Sequence, residues 1–463
     1  MTLSRINKVD KIFRYKAFYL TCFIFIGLNL LINWKEIIHF NDIPVYLFNI
    51  DYYKCFFTPH NRFSAVLVEY LPLLFATLKL DFKWFLFSFI LNPLLSTMLL
   101  YGIYGFFSKR WNDGWVFILS LTIGIKHSFY YLVPEHFGYS FAVFSVLMSI
   151  FILEEGKSKF WYLYSLIIGI SLAGSHLYVL TIVLVGFLYI MFSKNPRIKF
   201  RKLVFHLGII LGSFFIVKLF LPSDGYESDR MYQLISNIRH LHYLDRASFK
   251  YLFDRDHKYA LDNVLLGLIT ILGLIAYRKY LIGLVILTIF YLTYYLNCLY
   301  SFEWLGTEYM ELYGRLIYMC ILVGSYIVYR GKSINVNLVF LLTAFFVFIY
   351  LYKTNSVRSI YTDRYIAIEN FMDKYSANKI YCAGHSLIEV DKIWFSWALP
   401  HETLILSTLK NESKTVYVFN GDNRKYTNLN QHTFYGSNQD FPIKKLKNTY
   451  FSSLDTSSYI RLE

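Results

Sequence analysis

The sequence predicts a mainly α, polytopic transmembrane helical bundle of about eleven spans, N-terminus in and C-terminus out, followed by a small C-terminal α/β domain. Three observations predict it. Of 463 residues, 56% are hydrophobic and 17% charged, with mean hydropathy +0.40, a balance that a water-facing domain of this length cannot keep in solution. The apolar residues fall into runs of the length that a bilayer core of about 30 Å requires. Lys and Arg gather in short clusters at alternate breaks between those runs, as cytoplasmic turns do. The net charge of +15 is spread over these turns instead of forming one basic face, so it marks topology and not a nucleic-acid partner. The 44 Phe and 42 Tyr often flank the runs, where amphipathic rings suit the headgroup region.

The elements follow in order. Arg5, Lys8, Lys11, Arg14 and Lys16 precede a first span at 17–33 and hold its start inside. The run ends in Asn33-Trp34-Lys35-Glu36 with no small-x-small cleavage pattern, so it reads as an uncleaved span. Residues 34–83 form the first outer loop, within which 61–80, interrupted by Glu69 and Pro72, read as interfacial or re-entrant. Spans at 84–107, 115–132, 139–153, 160–174, 177–192 and 203–221 alternate across basic turns at Lys109-Arg110, at Lys157, and from Lys194 to Lys202. A second outer loop, 222–260, carries Arg230, Arg239, Arg246 and Arg255. Spans at 261–277, 281–299, 316–329 and 335–352 complete the bundle, with inner turns at Arg278-Lys279 and Arg330 to Lys332.

From 353 to 463 the composition becomes that of a soluble domain, placed outside the cytoplasm by the count of spans. Residues 361–375 have helical spacing, 379–382 end at Ala383-Gly384 like a strand, 402–409 read as a helix and 414–419 alternate as a strand. The tail after Asn420, rich in Asn, Tyr, Ser and Lys, reads as loop. Cys22, Cys55, Cys298, Cys320 and Cys382 form no CxxC pair, and a Cys55–Cys382 disulfide stays open beside two free thiols.

Ionisable groups near a membrane need a partner, a water-filled cavity or a function, and here they gather at the outer ends of spans. Asp42 and Asp51 in the first outer loop are candidate general bases toward an acceptor hydroxyl, or helix-capping loop residues. Glu135-His136, Lys126-His127 and His176 sit at outer turns, as site residues or as ordinary end-of-helix polar groups. Arg315 opens a span after Glu303, Glu308 and Glu311, where it suits either a bidentate phosphate contact or an ion pair with Glu311 four residues earlier. Arg239 and Arg246 are similar phosphate candidates. No HxxxH or HExxH spacing accompanies the histidines, so no metal site is expected.

This layout resembles the GT-C superfamily of polytopic membrane glycosyltransferases. The features that carry the resemblance are the inside start, acidic residues in a long first outer loop with the 61–80 stretch, and the external domain from 353 to 463. The resemblance implies a multi-pass enzyme of a bacterial plasma membrane that moves a sugar from a polyprenyl-phosphate donor to an envelope acceptor. It makes Asp51 or Asp42 the carboxylate at the acceptor and puts Glu135 and His136 in the second outer loop. The first loop lacks a contiguous Asp-Asp, Asp-Glu or Asp-x-Asp, so the expectation is no metal and no other cofactor. An O-antigen polymerase or ligase would also have a long arginine-bearing outer loop, a lipid or polysaccharide transporter would need no chemistry, and a membrane-anchored scaffold stays open.

Overall fold

The computed structural model describes residues 3–39, 42–58, 63, 66–123, 134–155, 161–175, 177–192, 197–221, 307–330, 335–382, 393, 398–418, 429–436 and 439–462; within these ranges the side chains of 3–11, 134–136, 177–178, 192, 307–314, 317 and 328 are left aside. It is mainly helical. In chain order the helices are α1 (Leu3–Ile32), α2 (Trp34–Ile38), α3 (Ile43–Tyr53), α4 (Val66–Thr77), α5 (Phe82–Ser108), α6 (Gly114–Thr122), α7 (Pro134–Glu155), α8 (Trp161–Ala173), α9 (Leu177–Phe192), α10 (Phe200–Phe220), α11 (Thr307–Tyr329) and α12 (Val336–Asp373). The C-terminal part adds β1 (Lys379–Cys382), α13 (Leu399–Leu409), β2 (Thr415–Val418), β3 (Thr433–Tyr435), β4 (Asp440–Pro442) and β5 (Ile460–Leu462).

Among the described residues, five helices are long and apolar enough to cross a membrane: α1, α5, α7, α10 and α12. The expected spans at 261–277 and 281–299 lie outside the described residues. α4, with 12 residues, reaches only about 18 Å at 1.5 Å per residue, short of a ~30 Å core, as the interfacial or re-entrant reading of 61–80 requires. α12 runs unbroken past the expected end of the last span at 352 and through the helix expected at 361–375.

The chain falls into two compact units. The first comprises residues 1–28, 58–65 and 93–354, and the second 29–57, 66–92 and 355–463.

Of the five long helices α7 is the most enclosed, while α10 leaves most of its apolar surface outward, including Phe205, Phe215 and Phe220. An apolar belt of that kind suits lipid and not water. α8 and α10 approach closely because Gly169 has no side chain: a Cβ there would lie 1.8 Å from Ser213 Oγ and 2.4 Å from the Ile210 carbonyl. At one end of the unit, Arg110 and Arg330 both donate to Glu154 Oε2, at 3.0 and 2.5 Å. Beside them the Tyr104 and Tyr326 hydroxyls donate to Asp113 Oδ2 at 2.7 and 2.9 Å.

In the second unit, β1 pairs in parallel with β2 and with β5, giving the sheet order β2-β1-β5, with α13 as the connection between β1 and β2. Parallel strands need such a crossover, and the sheet packs its Ile380, Cys382, Val416 and Val418 against Ile368 and Met372 of α12 and Leu406 of α13. The α/β character expected from the sequence is present. The tail expected to be loop is corrected in two places: β3 and β4 form an antiparallel hairpin, and β5 completes the sheet. Cys55 is exposed and Cys382 is buried in that core, and both are free thiols, which removes the disulfide alternative.

Candidate functional site

The second unit builds a polar seam around α3. Its sequence, Ile43 to Tyr53, is nearly all apolar and is buried from Ile43 to Asp51, so the helix is clasped on several sides and cannot face solvent with one stripe. Phe48 is fully buried at the centre of an aromatic cluster, with ring centroids 4.8 Å from Phe441, 4.9 Å from His401, 5.0 Å from Phe434 and 5.4 Å from Phe451. Three residues on, Asp51 faces the seam and is also fully buried.

The Asp51 carboxylate has two kinds of partner. Lys54, which ends α3 in the left-handed conformation at φ 50°, pairs with Oδ1 and also donates to the Ala76 carbonyl at 3.0 Å. The Tyr450 amide donates to Oδ2 at 2.8 Å, and the Tyr450 hydroxyl donates to the Leu80 carbonyl at 2.6 Å. Burial pushes the Asp51 carboxyl above its ordinary range, against the opposing pull of Lys54 and the Tyr450 amide. Asp42 stands at the N-cap position of α3, where its carbonyl accepts from the Val45 and Tyr46 amides at 3.0 Å, and its side chain makes no cap hydrogen bond.

A second polar group lies nearby in the same unit. Arg364, 2% exposed, donates to Glu402 Oε2 at 2.8 Å and to the His39 carbonyl at 2.8 Å. Glu36 accepts from Arg358 at 3.2 Å and from Thr362 at 2.9 Å. These contacts join α2 and the His39 that follows it to α12 and α13.

Burial holds the His401 imidazole down at about 3, and the His39 imidazole well below its ordinary 6.5, with Arg364 and Lys35 adding to the shift at His39. Both rings are therefore neutral in the fold, whereas an unfolded chain protonates them near 6.5. The unfolded state binds the extra protons, so stability falls as pH drops below that value, by at most about 1.4 kcal/mol per pH unit for each group. Taking the full-length protein from pH 7.5 to 5.5 is expected to lower its melting temperature, and His401→Phe, which keeps an aromatic ring among the phenylalanines, to recover part of the loss. An identical pH slope in that variant would show that His401 is not a titrating group.

In the first unit Arg315 is 1% exposed. Its Nη2 donates to the Ser120 and Leu121 carbonyls at 2.6 and 3.0 Å, and its Nε to the Ile123 carbonyl at 3.0 Å. These are end-of-helix carbonyls, because α6 stops after nine residues and Ile123 is extended at ψ 143°. The guanidinium also lies over the Tyr139 ring, 4.9 Å from its centroid. Arg315 thus serves as a charged C-cap supplied from another helix.

Glu135 and His136 fall in the first turn of α7, and Glu311 on α11, with their side chains outside the described residues. His176, Arg239 and Arg246 lie outside the described residues altogether, as does the Lys126-His127 pair. Asp51 belongs to the second unit and Arg315 to the first. Among the described residues no three His, Cys, Asp or Glu side chains gather as metal ligands would.

In the sequence Arg110 and Arg330 read as topology markers, and Asp113 and Tyr326 are not among the candidate site residues. The structure places all four around a cavity of about 420 Å³ in the first unit, whose other wall is the apolar start of α12. The available signal was the run Arg110-Trp111-Asn112-Asp113, a charged pair where a plain turn would suffice. Comparisons of the chain with family models, characterised proteins and solved structures return no match.

Proposed function

We propose that the chain is a multi-pass glycosyltransferase of a bacterial plasma membrane, moving a sugar from a polyprenyl-phosphate donor to an envelope acceptor on the outer face. The observation that carries this reading is the union of the Asp51-bearing first loop with the C-terminal α/β module in one compact unit, with Asp51 hydrogen-bonded to Tyr450. Two segments that the topology sends outside, separated by an even number of spans, need to share a side. The inner turns support the same topology, since Arg110, Glu154 and Arg330 come from the expected cytoplasmic ends of three different spans and meet in one network.

In this reading Asp51 orients the acceptor hydroxyl and takes its proton as the bond to the sugar forms. Its buried carboxylate becomes available when the Tyr450 amide gives way to the acceptor, while burial raises its proton affinity, as a base requires, and Lys54 opposes that rise. Asp51→Asn is expected to abolish sugar transfer by membranes containing the protein, beyond what its lowered melting temperature and abundance explain, since it also unpairs Lys54, and Asp51→Glu to restore part of the activity. Full transfer by Asp51→Asn would remove Asp51 from the mechanism.

One observation favours a transporter instead. α6 ends after nine residues, inside an apolar run, with an arginine on its carbonyls, and helix ends of that kind are what transporters place at a midplane site. Movement of a lipid-linked sugar across vesicles containing the purified protein, with no new glycosidic bond, would select that reading. The arginine-bearing loop at 222–260, which underlies the polymerase or ligase alternative, lies outside the described residues.

A further inference from the structure

We propose that the cavity between Arg110, Arg330 and α12 is a binding site for an amphiphile with a phosphate-type anionic headgroup, entered sideways from the bilayer. The inference rests on the membrane reading above and not on the sugar-transfer reading.

The cavity is built with two chemically different ends. Arg110, Arg330, Asn112 and Asp113 make up the polar lining, and Leu119, Val339, Leu342 and Phe346 the apolar lining, the last two lying about two to three turns along α12 from its start. Its volume of about 420 Å³ lies within the roughly 300–1,000 Å³ typical of ligand sites.

The polar end is short of acceptors. Arg330 is 9% exposed and reaches Glu154 with Nη2 alone, while its Nε and Nη1 are buried without a hydrogen-bond partner among the described residues. Arg110 uses the same Glu154 oxygen. Asp113 balances part of the arginine charge, but its Oδ2 accepts from two tyrosine hydroxyls and it takes no hydrogen bond from Arg330 Nε or Nη1. A guanidinium carries five donors in a fixed fork, and leaving them buried and unmet is costly. A phosphate offers several oxygens in the matching bidentate geometry.

The start of α12 adds to this. Asn335 Oδ1 accepts from the Asn337 amide at 2.9 Å, fixing the first turn, and Val336, Leu338 and Val339 line the cavity. The positive end of a long helix thus borders the two arginines.

The apolar end points to a chain behind the headgroup. Leu338 lines the cavity and is also 48% exposed, on the same outward surface of α12 as Leu341 at 67% and Phe345 at 41%. In a bilayer that surface meets acyl chains, so a lipid tail passes from the cavity into the hydrocarbon without crossing water. A free phosphate would fill only the polar end and leave the rest hollow. By the topology of the basic turns, the lipid belongs to the cytoplasmic leaflet.

The test uses the purified full-length protein, stripped of lipid in detergent, then supplied with phosphatidylglycerol, phosphatidylcholine or inorganic phosphate. Binding is read by native mass spectrometry and by the rise in melting temperature. Phosphatidylglycerol should be retained above phosphatidylcholine, and inorganic phosphate should give no comparable stabilisation. Arg330→Gln should weaken phosphatidylglycerol about tenfold, and Leu342→Trp, which fills the apolar end and leaves the arginines in place, should weaken it similarly. Equal retention by wild type and both variants would overturn the site, and stabilisation by inorganic phosphate matching that of the lipid would overturn the amphiphile. Release of the chain from membranes by alkaline carbonate would instead overturn the membrane reading itself.

Discussion

Arg315→Leu is expected to destabilise the full-length protein by on the order of 3 kcal/mol, read as a large fall in melting temperature and in folded yield. Three carbonyls at the end of α6, those of Ser120, Leu121 and Ile123, lose their donor together. They lie in a buried place where water does not replace it, and an unmet buried acceptor costs about 1 to 3 kcal/mol. Arg315→Lys should recover only part of the loss, because a single ammonium cannot bridge carbonyls that a planar guanidinium spans with two nitrogens. The sequence-based alternative makes Arg315 a contact for donor phosphate, and it predicts a different pattern: an unchanged melting temperature with a raised KM for the donor. That pattern would overturn the capping account.

Phe48→Ala is expected to cost about 3 to 5 kcal/mol, the range for removing a large aromatic side chain from a filled core. The ring is fully buried among His401, Phe434, Phe441 and Phe451, residues that come from α13, the β3–β4 hairpin and the turn after it. The cavity left behind is ringed by flat side chains fixed on several elements, so collapse into it is limited. Loss of this anchor should loosen the Tyr450 segment as well, since Asp51 lies on the same helix, three residues from Phe48. Limited proteolysis near Tyr450 should therefore speed up in Phe48→Ala. A variant with wild-type melting and proteolysis would show that the aromatic cluster does not hold α3 in place.

Parts of the fold were legible because they are local. Strands β1 and β2 follow from short runs of β-branched and aromatic residues bounded by turn signals, and they are found at Lys379–Cys382 and Thr415–Val418. The helix at Leu177–Phe192 coincides with the expected span because its bounds are set by an apolar run alone. β5 was not legible, since Ile460-Arg461-Leu462 has no pattern of its own and becomes a strand only where the edge of β1 offers hydrogen bonds. The continuation of α12 was hidden for the opposite reason: polarity changes near Lys353, but the helix has no breaker there and goes on to Asp373. Of the candidate site residues, Asp51 was visible only as a carboxylate in a loop; the helix that buries it, Ile43–Tyr53, and its partner Tyr450, 399 positions away, were not legible.

By itself the sequence determined the mainly helical class and the apolar runs at 17–33, 84–107, 139–153, 203–221 and 335–352, each of which falls on one of the five helices that, among the described residues, are long and apolar enough to cross a membrane, because burial in lipid depends on the length and composition of each run. It also determined which segments carry charge. The tertiary structure alone decided what each charge does. Arg315 caps α6 from 192 positions away, Arg330 shares Glu154 with Arg110 across 176 positions, and Asp51 holds the Tyr450 amide. Periodicity records which face of a helix is apolar, but a polar side chain takes its role from whichever distant backbone or side chain packing brings within hydrogen-bond reach.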